Sequence, residues 1–102
     1  MFLDKILTMK DFVFNFEEVT PQEINKKIAE RIRLIRKRRK LSQERLSEKS
    51  GVSLGSVKRF ERSGEISLIS LTKIAIALDL EQGLKDLFKD VPLLTLEEID
   101  DE

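Results

Sequence analysis

Gly55, Arg59 and Arg62 are spaced by four and three residues, so on a helix they share one outward stripe, with Lys58 beside it. A guanidinium carries only donors, held in a rigid fork. Such cations on one stripe suit ion pairing with phosphates and bidentate hydrogen bonding to the acceptor edge of a guanine. A second basic group, Arg36-Lys37-Arg38-Arg39-Lys40, precedes them. Its residues either attract phosphate or simply form a solvated helix end, where positive charge suits the helix dipole. Most enzyme chemistry has no residues to draw on. The chain contains neither Cys nor His, which excludes disulfides, zinc fingers, iron–sulfur centres, thiol nucleophiles and Ser-His-Asp machinery. Its four glycines, at 51, 55, 64 and 83, build no phosphate-binding loop. Asp100, Asp101 and Glu102 read as solvated carboxylates. We therefore expect no enzyme, no cofactor and no metal.

The basic residues are concentrated although the whole chain has a formal charge of zero. Residues 1–20 are net −2, residues 21–62 net +9 and residues 63–102 net −7. A partner within a Debye length, about 8 to 10 Å, meets the local charge and not the average. A polyanion is therefore an admissible partner. At 102 residues and 40% apolar content, the chain suits one domain with one core. Asp4, Lys5, Lys10 and Asp11 interrupt the first twenty residues, so neither a signal peptide nor a membrane span is expected there. A soluble cytoplasmic protein is the expectation.

Four helix starts position these groups. In Val19-Thr20-Pro21-Gln22-Glu23-Ile24, Thr20 suits an N-cap, Pro21 the first helical position, and Val19 with Ile24 the flanking hydrophobic staple. Leu41-Ser42 with Leu46, Val52-Ser53 with Val57, and Ile66-Ser67 with Leu71 repeat the arrangement. Ile24, Ile28, Ile32 and Ile35 are expected on one buried stripe of the first helix. The second helix, from Gln43 to about Ser50, stops at Gly51, and only Val52 separates that glycine from the next cap. Two short helices joined so tightly must cross at a large angle, as in a helix-turn-helix. The third helix, Leu54 to about Arg62, buries Val57 and Phe60. The fourth, Leu68 to Leu78, buries Leu71, Ile74, Ala75 and Leu78. A fifth, near Glu81 to Lys89, offers Leu84, Leu87 and Phe88 to the core.

The ends follow other patterns. Phe12, Phe14 and Phe16 alternate with Val13 and Asn15, a period of two that suggests a short strand over residues 11–16. Either the strand pairs with its copy in a second subunit, or the phenylalanines pack over the helical core. The organisation is thus an amino-terminal arm (1–20), a helical domain (21–90) and an acidic tail (91–102), too short for a stable isolated helix.

The stretch QERLSEKSGVSLGSVKRFER, residues 43–62, resembles the Cro/C1-type (XRE) helix-turn-helix family. Leu46, Val52, Val57 and Phe60 stand at its core positions, Ser47 at the small position of the helix crossing and Gly51 at the turn. The resemblance extends over roughly residues 24–88 and implies an all-α, five-helix, lambda repressor-like domain that binds DNA. It further implies base contacts from Ser53, Leu54, Gly55 and Arg59, joined by Lys58 and Arg62 on the same outer face. Gln43, Arg39, Lys40, Ser56 and Ser63 are the expected phosphate contacts. Leu54 and Gly55 depart from the polar residues common at those positions, which shifts specificity toward arginine, shape and spacing. Gly55 suits either a close backbone approach, to a phosphate or to the second helix, or a packing glycine. The family pattern also pairs Arg36 with Glu61, and a structural ion pair is expected there.

Double-stranded DNA and a second copy of the chain are the partners the resemblance implies, since the family binds two half-sites as a dimer. Ile69 and Ile76 are candidates for that contact, or else they pack on the fifth helix or the phenylalanines. Ser53 to Leu71 also resembles the HipB-like regulators that accompany HipA-type kinase toxins, which implies an antitoxin repressing its own operon. Against a DNA-binding repressor stands one rival of another class: a helical interaction module, such as a bridging cofactor or toxin neutraliser, with little DNA binding.

Overall fold

The computed structural model describes residues 20–90. Five helices follow in order: α1 (Pro21–Arg38), α2 (Gln43–Ser50), α3 (Leu54–Ser63), α4 (Leu68–Ala77) and α5 (Glu81–Lys85). The first four begin where the sequence marks them. Thr20 accepts from the amide of Glu23 at 3.2 Å, Ser42 from Arg45 at 3.0 Å, Ser53 from Ser56 at 3.2 Å and Ser67 from Ser70 at 3.2 Å. Each hydroxyl satisfies a donor that has no partner inside its helix, a gain of about 1 kcal/mol per cap. Gly51 ends α2 at φ 75° and Gly64 ends α3 at φ 84°, both in the left-handed region.

Val57, Phe60, Leu46, Ile74 and Leu78 are the largest fully buried side chains, with Ala29 sealed among them. α1 packs on α3, α2 on both α3 and α4, and α5 on α4. The core therefore holds α3 from one side only, and its opposite face stays in solvent.

Two packing expectations are corrected. The four isoleucines of α1 do not share one buried stripe: Ile32 is buried, Ile28 and Ile35 are half-buried, and Ile24 is 48% exposed. The face against α3 is instead centred on Ala29, Ile32 and Arg36. A small alanine lets the helices approach, and the first turn of α1 runs past the edge of the core. α5 stops at Lys85, without a side-chain cap at its start. The backbone turns to φ 57° at Phe88, leaving Phe88 84% and Leu87 52% exposed, while only Leu84 of the three expected residues is half-buried. The strand expected at 11–16, the acidic tail and the carboxylates at 100–102 lie outside the described residues. Among the described residues, no helix is long and apolar enough to cross a membrane, and no acidic cluster is placed to hold a metal.

Candidate nucleic-acid interface

The turn between α2 and α3 is tied from both sides. Ser47 donates its hydroxyl to the carbonyl of Val52 at 2.6 Å, and Ser50 accepts from the Val52 amide at 3.2 Å. With Gly51 in its left-handed conformation and Val52 buried, the polar backbone of this turn is satisfied locally. Ser47 is therefore more than a small residue at a crossing: its hydroxyl fixes the turn.

Val57 and Phe60 face inward on α3, and Ser53, Gly55, Lys58, Arg59 and Arg62 are exposed around the outer side, with Leu54 half-buried beside them. Among the described residues, the side chains of Lys58, Arg59 and Arg62 make no hydrogen bond or ion pair. Three full charges thus stand in water on a helix face whose backbone is fixed. Among the described residues no carboxylate is paired with them. Among the described residues, Gly55 has no heavy atom within 4 Å of where a Cβ would stand, so none of them, α2 included, requires a glycine there. Within the described residues the approach to the backbone at the start of α3 is open.

The hydroxyls and the flanking basic residues divide by their internal bonds. Ser53 caps α3 and donates to the Ser56 hydroxyl at 2.8 Å. Ser63 donates to the Arg59 carbonyl at 2.8 Å and accepts from the Glu65 amide at 3.2 Å, so its proton is committed to closing α3. Arg39 meets Asp79 at 3.2 Å in a pair whose side chains are 40% and 82% exposed. Such a pair is worth only about 0 to 1 kcal/mol and is readily exchanged for another anion. Lys40 is exposed and forms no such pair among the described residues.

Behind the outer face lies a polar cluster that the core encloses. Arg36 donates through Nε to Glu61 Oε2 at 2.7 Å and through Nη2 to Oε1 at 2.9 Å. Its Nη1 donates to the carbonyl of Leu41 at 2.6 Å, and Gln43 Nε2 donates to Glu61 Oε1 at 3.0 Å. The two charged side chains are 8% and 3% exposed, so the fork geometry and the extra bonds are what offset their desolvation. The end of α1, the loop entering α2 and the last turn of α3 are joined at one point. Gln43, expected at a phosphate, is held by this cluster at the start of α2. The roles of Leu41 and Asp79 had no sequence signal: Leu41 offers a backbone carbonyl, which its side-chain type does not announce, and Asp79 meets Arg39 from forty residues along the chain.

Comparison with curated proteins and with solved structures returns no match. Residues 32–81, about half of the chain, match the model of the helix-turn-helix family. The match begins midway along α1 and ends as α5 begins, enclosing the tied turn, the exposed cations of α3 and the buried Arg36–Glu61 pair. Residues 32–81 therefore form an all-α helix-turn-helix domain of the Cro/C1 type, the fold of a DNA-binding family.

Proposed function

We propose that this chain is a sequence-specific transcriptional regulator that represses by occupying an operator as a homodimer, with α3 in the major groove. The observation that carries this reading is the outer face of α3: Lys58, Arg59 and Arg62 exposed and without partners among the described residues, on a helix whose inner face is locked into the core. Arg59 is assigned the bidentate contact to a guanine, Leu54 a thymine methyl group, and Lys40 and Arg39 the phosphates flanking the groove. Gly55, lacking a side chain, lets a phosphate approach the amides at the start of α3, where the helix dipole is positive and the first turn holds no acidic residue.

One such domain reads few base pairs, and two copies would place their α3 helices about 34 Å apart on one side of the duplex. Ile69 and Ile76, 68% and 56% exposed and one heptad apart on α4, are the apolar residues we assign to the contact between copies. The likeness of Ser53–Leu71 to HipB-like regulators supports an antitoxin role for the same dimer beside a HipA-type kinase.

Salt titration of binding to DNA fragments selected from a random pool tests the proposal. The logarithm of affinity should fall linearly with the logarithm of salt concentration, by about 0.9 per phosphate neutralised. A flat dependence would instead favour an interaction module that binds little DNA.

A further inference from the structure

Two depressions lie side by side along α1 and share Ile28 and Leu71. The smaller, about 160 Å³, opens between the first turns of α1 and the chain after α3, beside Asn25, Gly64 and Ile66. The larger, about 480 Å³, continues between α1, α4 and α5 over Ile32, Ala75, Leu80 and Leu84. Together they make one trough, apolar chiefly in its larger part, that runs from the amino-terminal turns of α1 to α5. Among the described residues its charged wall residues are Arg31 and Asp79, the latter paired with Arg39.

We propose that the Phe12–Phe16 segment of the same chain lies in this trough, doubling back along α1. The reach fits. The chain enters α1 extended at Thr20 (φ −67°, ψ 147°), and the five steps from Pro21 back to Phe16 span about 17 Å when extended. Ile28 is only about 10 Å along α1 from Pro21. Phe16 can therefore stand beside Ile28, and each further pair of residues advances about 7 Å, carrying Phe14 and Phe12 past Ile32 toward α5. The chemistry fits as well. A period of two sends Phe12, Phe14 and Phe16 to one side of an extended segment, three rings for an apolar trough, with Val13 and Asn15 on the other side. Asp11, Glu17 and Glu18 flank the rings, while α1 carries seven basic and two acidic residues. A second copy offering the same segment competes poorly, because a short tether holds the chain's own segment at an effective concentration of order millimolar.

The chain has no cysteine, so a double variant of the full chain creates a single thiol pair. Phe14→Cys with Leu84→Cys, treated with a short bis-maleimide, should give a product of monomer mass. It should form about tenfold faster than in the control pair Phe14→Cys with Lys49→Cys, whose second site is on exposed α2, because local docking raises the effective concentration only at the trough. Equal rates for the two pairs would overturn the proposal. A product of dimer mass from the Leu84 pair would overturn it in favour of a second copy as the occupant. In a chain carrying Phe12→Ser, Phe14→Ser and Phe16→Ser together, an apolar fluorescent dye should bind several-fold more strongly than in the natural chain; unchanged dye binding counts against the segment as the cover.

Discussion

The two sides of the polar surface of α3 are opposites. At its last turn, Glu61 is enclosed and accepts three hydrogen bonds, two from Arg36 and one from Gln43. On the outer side, Lys58, Arg59 and Arg62 stand in solvent without partners among the described residues. Charges of the first kind are positioned by the fold and, if removed, are missed by it. Charges of the second kind contribute almost nothing to the fold, so their arrangement answers to what lies outside. One ten-residue helix carries both, and substitution can separate them.

The largest effect is expected from Glu61→Ala, which strands the buried Arg36 guanidinium and leaves Gln43 without its acceptor. Urea unfolding should show a loss of about 3 to 5 kcal/mol, and an unchanged midpoint would erase the contrast between the two sides. Gly64→Ala comes next. A Cβ there would stand 2.7 Å from the backbone carbon of Asn25 at φ 84°, so both the approach of α1 and the turn are strained. A cost of about 2 kcal/mol or more should appear in the same assay.

Arg59→Ala acts on the other side of the comparison. Unfolding should shift by less than about 0.5 kcal/mol, while discrimination among DNA sequences, measured by competition binding, should fall by about 1 to 3 kcal/mol. Loss of stability without loss of preference would move Arg59 into the structural group. Gly55→Ala is the smallest and has the opposite sign. With open space at its Cβ, alanine should stabilise α3 by about 0.5 to 1 kcal/mol. If the backbone there meets a phosphate, DNA affinity should fall in the same variant, and a rise in both would remove Gly55 from the interface.

What the sequence made legible was mostly local. Thr20, Ser42, Ser53 and Ser67 cap their helices through bonds to residues three positions on, so a short window contains both partners. The inward direction of Val57 and Phe60 followed from spacing alone, and with it the outward set on α3. Spacing misled along α1, where Ile24 keeps the helical period but extends beyond what α3 covers. It misled again at Leu87 and Phe88, where an uncapped five-residue helix ends before their period can place them in the core. Gly64 read as a chain breaker; that the backbone of α1 presses against it is a contact between segments some forty residues apart, and no window could show it.

The anchoring of Leu41 by Arg36 has a kinetic consequence. Because one guanidinium grips the entry to α2 and the end of α3 together, α2 and α3 cannot pivot separately against α1 without breaking enclosed bonds. Association through the outer face of α3 then immobilises a few long side chains, at about 0.5 to 1.5 kcal/mol each, and no backbone rearrangement has to precede it. Capture at that face should accordingly be governed by diffusional encounter and ionic steering, not by a slow isomerisation.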